Sequence, residues 1–380
     1  MLRDPQYLSC VLIKPAGPSC NLRCTYCFYM EKHEMFGAEA SASHCVIMQE
    51  DVLEATIKKA LTNAPSSFSF IWQGGEPLLA GLSFYEKAVE LQKKYGAGIN
   101  ISNAIQTNAT LLNEDWISFF KKNDFLVGVS LDGAEHVHNA YRKDADGEGT
   151  WNIVSMNAKT CAQAGVATNI LSCVTSYSVK YPDETYRYLT GEGFSYLQFI
   201  PVIEKDLRGQ ATAFSVSPKA YGNFLCCIFD CWYNEFRDGR PITSVRQFET
   251  LFFTLLGHTG IECGIQKKCG SYLAIEHNGD VFPCDFFVEP AHKSGNVLQD
   301  DLRLLFNGKM QRLFGGAKAH VSPKCKKCKW LAFCNGGCLK DRKNNPNGFE
   351  QNYFCASMKI FLPYAIPKLK ELAARWQGSV

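Results

Sequence analysis

The chain has 380 residues, 46% of them hydrophobic, 20% charged and 13% aromatic, with a formal net charge of +3. This is a globular composition with acids and bases interspersed, which argues against a nucleic-acid partner, and no apolar run approaches the roughly 18 residues of a membrane span. The apolar run at 8–13 is too short for a signal-peptide core, so the chain is expected in the cytoplasm. Eighteen cysteines are therefore the anomaly: cytosolic thiols stay reduced, and spaced ones bind metal or do redox chemistry.

In chain order, strands are predicted over 8–14, 68–73, 99–106, 126–131, 168–174 and 196–200. Helices over 50–61, 83–94, 113–122, 151–164 and 182–191 fall between them. The second helix carries Phe84, Ala88 and Leu91 at helical spacing. Regular alternation implies a parallel sheet, and six units imply an incomplete (β/α) barrel. Chemistry in such barrels sits on loops at the C-terminal ends of the strands. After Pro201 the alternation stops. Helices are predicted over 218–236 and 244–256, then short strands over 272–277 and 280–282, in a region dominated by Gly, Cys, Lys and Asn. So few aliphatics could hardly bury enough surface to fold alone, so metal is expected to stabilise this part. A last helix over 358–376 should pack back on the body. The expected organisation is a barrel over 1–235, connecting helices over 236–261, a cysteine-rich domain over 262–360 and a C-terminal helix over 361–380.

Cys20, Cys24 and Cys27 have the form C-x3-C-x2-C, just after the first strand. Three thiolates can hold three irons of a [4Fe–4S] cube, leaving the fourth iron open to chelate a small molecule; a zinc site with a distant fourth ligand is the alternative. Gln73-Gly74-Gly75-Glu76-Pro77 ends the second strand, where glycines permit close backbone approach. Gln106-Thr107-Asn108 ends the third and Ser130-Leu131-Asp132-Gly133 the fourth, with Arg142 shortly after. Further on, Cys263, Cys269, Cys284, Cys325, Cys328, Cys334, Cys338 and Cys355 make eight, enough for two closed four-thiolate sites. Spacing alone suits zinc equally well. Of the seven remaining cysteines, Cys227 and Cys231 sit one turn apart but among Phe224, Leu225, Ile228 and Phe229, where thiols act as small hydrophobes.

The first motif, with Tyr26 before its third cysteine, resembles the signature of the radical S-adenosylmethionine (SAM) superfamily. The second region resembles the SPASM-type extension of radical SAM enzymes that modify peptides. Leu12-Ile13-Lys14-Pro15-Ala16-Gly17, Leu197-Gln198-Phe199-Ile200-Pro201 and Pro283-Cys284-Asp285-Phe286-Phe287 narrow the likeness to the anaerobic sulfatase-maturating enzymes, from Leu12 to Cys355. The resemblance implies a partial (β/α)6 radical SAM barrel with a cysteine-rich domain, and SAM and three [4Fe–4S] clusters as cofactors. It implies Cys20, Cys24 and Cys27 on the first cluster, Cys263, Cys269, Cys284 and Cys338 on the second, and Cys325, Cys328, Cys334 and Cys355 on the third. It places Tyr26, Gly74, Gly75, Glu76, Asn108, Ser130, Arg142 and Ile203 around SAM, with the Gly-Gly-Glu segment on its amino group and Arg142 on its carboxylate. Ala109 departs from the pattern, which has glycine after Gln-Thr-Asn.

The implied activity is oxidation of a sulfatase cysteine or serine to Cα-formylglycine. A SAM-derived radical would take a β-hydrogen, Asp285 would act as base, since aspartate is ordinarily ionised at neutral pH, and auxiliary clusters would remove an electron. The implied partners are a nascent or unfolded sulfatase segment of the Cys/Ser-x-Pro-x-Arg type and a ferredoxin or flavodoxin, with the enzyme a monomer, off the membrane and away from nucleic acid. The alternative is a ribosomal-peptide maturase building a thioether or other crosslink, but such enzymes often carry an amino-terminal leader-binding domain and only 19 residues precede Cys20. A plain iron–sulfur electron carrier would not need the Gly-Gly-Glu segment or the barrel.

Overall fold

The computed structural model describes residues 7–36, 45–237, 240–258 and 262–378. Its centre is one ten-stranded sheet in the order β10-β9-β8-β1-β2-β3-β4-β5-β6-β7. The barrel strands are β1 (Cys10–Ile13), β2 (Ser67–Trp72), β3 (Asn100–Thr107), β4 (Phe125–Ser130), β5 (Thr168–Val174), β6 (Tyr196–Pro201) and β7 (Ser244–Val245), each parallel to its neighbour. The helices that cover them are α1 (Glu50–Leu61), α2 (Leu82–Tyr95), α3 (Glu114–Lys122), α4 (Trp151–Gln163) and α5 (Pro182–Gly191). Parallel strands covered by helices read as apolar on both faces; in β1, Val11, Leu12 and Ile13 are all buried. The alternation seen in the sequence is thus the partial barrel, with boundaries moved by no more than a few residues. The two-residue β7 is an addition: it is too short to carry a periodicity and forms because Ser244 donates its N–H to Ser195 O at 2.7 Å.

The other side of β1 carries the cysteine-rich region. Strand β8 (Leu273–Ile275) runs parallel to β1, while β9 (Asp280–Phe282) and β10 (Gly295–Asn296) return antiparallel. The β8–β9 turn is closed by Glu276, whose N–H donates to Asp280 O at 2.8 Å, with Gly279 at φ +84. Glycine there supplies the positive φ that a tight hairpin requires. One sheet therefore joins the two cysteine regions.

Three helices close the back: α6 (Pro218–Asn234), α7 (Arg246–Leu255) and α8 (Cys355–Gly378). Phe229 of α6 meets Phe248 of α7 at 5.2 Å and Phe361 of α8 at 5.9 Å between ring centroids. The final helix does pack on the body, and it begins at Cys355 itself, so packing of α8 places that thiol. Among the described residues no helix is long and apolar enough to cross a membrane.

Ala109 retains the glycine-like backbone. Its φ is +62, it is fully buried, its N–H donates to Thr107 Oγ1 at 2.9 Å and its carbonyl accepts from Asn157 Nδ2 at 2.8 Å. The surroundings hold an L-residue in the left-handed region, at a cost of about 1–2 kcal/mol. Ala109→Gly releases that strain but adds unfolded-state entropy. The expected net effect is stabilisation by roughly 0.5–1 kcal/mol, read from the denaturant midpoint; a loss of stability would show that the methyl group is needed for packing.

Candidate active site

The first cysteine loop leaves β1 and is held by the end of β2. Glu76 donates its N–H to Ser19 O at 2.8 Å. A Cβ on Gly75, whose φ is +52, would lie 2.0 Å from Ser19 O, and one on Gly74 would lie 2.6 Å from Lys14 Cγ. The two glycines thus let this segment pass against the chain's own cysteine loop and against Lys14. The Glu76 side chain is fully buried and accepts three hydrogen bonds: Leu78 N–H at 3.0 Å and Thr107 Oγ1–H at 2.7 Å on Oε1, and Asn108 N–H at 2.7 Å on Oε2. Expected as a SAM contact, Glu76 spends its carboxylate on joining the end of β2 to the end of β3. Asn108 then reaches Asn21 Oδ1 at 2.9 Å and Cys20 Sγ at 3.8 Å through Nδ2.

The ends of β4 and β5 form the opposite wall. Asp132 accepts from Tyr26 Oη–H at 2.5 Å and from Cys173 N–H at 2.9 Å. Arg142 Nε lies 3.0 Å from Asp132 Oδ2, an ion-pair contact whose angle falls short of a hydrogen bond. Both side chains are buried. Burial opposes the Arg142 charge most strongly, but Asp132, Tyr26, Cys24 and Cys173 together outweigh it and keep the guanidinium protonated. Burial, with Arg142 nearby, holds His138 well below its ordinary range, so its ring is neutral. Ser130 Oγ accepts from Gln106 Nε2 at 3.0 Å, leaving its own proton free to donate. Ile203 is fully buried.

The three thiols between these walls fit a cluster. Burial, reinforced by Glu76, pushes Cys20 up to about 12, and burial opposed by Arg142 brings Cys24 to about 11, each also feeling Cys27. Such thiols stay protonated at neutral pH until metal displaces the protons. Among the later cysteines, the thiols that feel one another's charge follow the grouping the resemblance implies. Cys338 feels Cys263 and Cys269, and Cys284 feels Cys338, whereas Cys334 feels Cys325, Cys328 and Cys355; burial raises Cys284, Cys334 and Cys338 first. Among the described residues no three ligating groups close on a single-ion point. A cubane spaces its thiolates more widely than one tetrahedral zinc does, because each binds a different corner.

Asp285 follows Cys284 and is 5% exposed. Tyr272 donates its hydroxyl proton to Asp285 Oδ1 at 2.5 Å and lies 3.3 Å from Cys284 Sγ. Between Asp285 and the first loop is a polar cluster that sequence reasoning did not single out. Lys14 is fully buried, stands 3.7 Å over the Tyr29 ring and has no hydrogen-bond partner for Nζ among the described residues. Tyr29 donates to buried Glu276. The available signal was a lysine ending an apolar strand; Tyr272 and Glu276 offered none.

The profile described as Radical SAM superfamily matches residues 15–189, and SPASM, an iron–sulfur cluster-binding domain, matches residues 263–329. The chain is 38% identical to a cysteine-type anaerobic sulfatase-maturating enzyme of Clostridium novyi, over 96% of each chain. It is 35% identical to a serine-type anaerobic sulfatase-maturating enzyme of Bacteroides thetaiotaomicron, over 94% of this chain and 89% of that one. The solved structure of native anSMEcpe with bound AdoMet and Cp18Cys peptide superposes with a TM-score of 0.87 at 38% identity, covering 96% of this chain and 99% of that one.

Glu76 yields a test. Burial raises its carboxyl to about 7, against the hydrogen bonds that lower it. A folded value above the unfolded one means that the folded state holds this proton more tightly. Its contribution to stability therefore falls as pH rises from about 4.5 to about 7, by up to about 3 kcal/mol, and is level above that. Glu76→Gln removes this slope, and its amide turns an NH2 toward the Asn108 N–H, costing about 1–3 kcal/mol. Denaturant unfolding at pH 5 and pH 7.5 should show both effects; an unchanged slope would place the titration elsewhere.

Carrying three [4Fe–4S] clusters and SAM as cofactors, the chain belongs to the anaerobic sulfatase-maturating enzymes, radical SAM oxidoreductases with a SPASM extension.

Proposed function

We propose that this enzyme oxidises a cysteine or serine in a sulfatase segment to Cα-formylglycine, with Asp285 as the base. The observation that carries the reading is the buried Asp285 carboxylate beside Cys284, in a chain similar along its length to enzymes of that name. When bound, SAM and the clusters supply one-electron chemistry: a 5′-deoxyadenosyl radical that takes a β-hydrogen atom, and an acceptor for one electron. Cys20, Cys24 and Cys27 would hold the first cluster. Cys263, Cys269, Cys284 and Cys338 would hold the second, and Cys325, Cys328, Cys334 and Cys355 the third.

Asp285 Oδ1 is occupied by the Tyr272 hydroxyl, and no hydrogen bond among the described residues engages Oδ2. Oδ2 is then the atom that accepts the substrate thiol or hydroxyl proton. A hydrogen atom, a proton and one electron leave the substrate, which balances a two-electron oxidation. With serine the product is the aldehyde; with cysteine it is a thioaldehyde, which water converts to the aldehyde with release of hydrogen sulfide. Arg142 and Ser130 would face the SAM carboxylate, with Asp132 fixing the guanidinium and Tyr26 fixing Asp132. Gly74 and Gly75 would present backbone to the amino group, while Glu76 holds that backbone in place. Asn108 and Ile203 complete the assigned contacts. The assigned setting is the cytoplasm, with a monomeric enzyme and a ferredoxin or flavodoxin exchanging electrons.

The test uses anaerobic holoenzyme with peptides bearing Cys-x-Pro-x-Arg or Ser-x-Pro-x-Arg, read by mass spectrometry. Formylglycine on either supports the reading; a crosslinked peptide would favour a ribosomal-peptide maturase. Asp285→Asn should still release 5′-deoxyadenosine, carrying deuterium from a labelled substrate β-carbon. Its formylglycine yield should fall by about 10²-fold or more. Product at the wild-type rate would move the base elsewhere.

A further inference from the structure

Electrons that leave the substrate must leave the protein, and the loop holding Cys325 and Cys328 has an unusual surface. Its sequence is Lys324-Cys325-Lys326-Lys327-Cys328-Lys329. Four of these six residues are lysines, all exposed, in a chain whose net charge is only +3. The loop contains no acid, and among the described residues no ion pair holds any of the four ammonium groups. Lys329 lies 4.9 Å over the Trp330 ring, the one contact any of them makes with an aromatic face among the described residues.

Neighbouring cations behave differently. Lys318 is buried and donates to the carbonyls of Cys263 and, at 2.9 Å, Gly264. Arg342 is buried and donates to Gly336 O at 3.0 Å, His320 O at 2.9 Å and Lys318 O at 3.0 Å. Those two charges are consumed inside the fold, satisfying backbone carbonyls. The four loop lysines perform no such service. Like charges so closely spaced repel one another, so the fold gains nothing from them. They are also the covalent neighbours of Cys325 and Cys328, in the set that includes Cys334 and Cys355.

We infer that Lys324, Lys326, Lys327 and Lys329 form the docking collar for an acidic one-electron carrier protein, which takes the electron from the Cys325–Cys328 site. The inference rests on the maturase reading for its electron and on the loop's own charge for its place. In the step, one electron passes from the cluster held there to the oxidised carrier, which is reduced by one; no bond forms or breaks. A positive rim around a redox site speeds encounter with a negative partner more than it tightens the final complex. Steering of this kind disappears when salt screens it.

The experiment uses anaerobic holoenzyme without SAM or peptide, and flavodoxin as the acidic carrier. Binding of oxidised flavodoxin is titrated, and its reduction by dithionite-reduced enzyme freed of excess reductant is followed by stopped flow. A variant with all four lysines changed to Glu is compared with one in which Lys58, Lys93, Lys121 and Lys122, exposed on α1–α3, are changed to Glu. The two variants have the same net charge. At about 20 mM salt the collar variant should associate about 10–100-fold more slowly than wild type, and the control variant much less so. All three should converge near 1 M salt, where the screening length is about 3 Å. A milder Lys→Gln set should fall between if the collar acts through charge, and iron content verifies loading. Equal rates for collar variant and wild type, or equal losses in both Glu variants, would overturn the assignment. Because no substrate is present, failure of formylglycine formation would leave this result standing.

Discussion

A single buried carboxylate organises the catalytic end of the barrel. Glu76 cannot be solvated where it lies, so it needs donors, and the structure supplies two backbone N–H groups and one hydroxyl from the ends of two strands. Its own N–H reaches Ser19, the residue before Cys20. Three strand ends are thus tied through one residue: β1 by the cysteine loop, β2 by Glu76, and β3 by Thr107 and Asn108. Removing any donor would leave a buried acceptor unpaired, which costs more than the bond itself contributes. The Gly74–Gly75 pair is needed for the same reason, since a side chain at either position would separate the segments that Glu76 joins.

The opposite wall uses charge where this wall uses backbone. Arg142 and Asp132 are both buried, and an ion pair removed from water is weak evidence of stability because desolvation offsets attraction. Its value here is geometric. Tyr26, Cys173 and Arg142 all converge on Asp132, so the guanidinium is held at one angle beside the thiols. Losing Asp132 would leave a buried uncompensated cation, which is why these two residues act as a unit.

Most of the barrel was legible in the sequence because parallel strands and their covering helices have different periods. Predicted and observed limits of 168–174, 182–191 and 50–61 coincide. The grouped cysteines stood out by their spacing, but their ligand sets and the role of Asp285 entered only through the family resemblance. Pairing across distance was not legible. Nothing local in Leu273–Ile275 announces that it pairs with β1 rather than closing a separate domain, and nothing in Lys14 announces Tyr29 and Glu276. Glu76 was visible as a motif but not as a hub, since Ser19, Thr107 and Asn108 lie far from it in sequence and its partners are mostly backbone groups, which every residue possesses.

The cysteine-rich region shows how a chain with few aliphatics holds its shape. Its small cluster of Phe287, Phe314 and Leu339 is modest beside the barrel core, and buried Lys318 and Arg342 take over work that helices and strands do elsewhere. A buried cation facing several carbonyls resembles a capping group: it satisfies acceptors that would otherwise face apolar surroundings. Cys355 opens α8, and α8 packs on α6 and α7 through Phe361. The barrel's back therefore positions one thiol of the set, while the β1–β8 pairing positions Cys284 and Asp285 from the front. In the proposed reaction, radical generation at the first cysteine loop and proton removal by Asp285 occur within reach of one substrate side chain. A shared sheet fixes that distance more firmly than a linker between two domains could, because strand pairing leaves no hinge between Cys20 and Asp285.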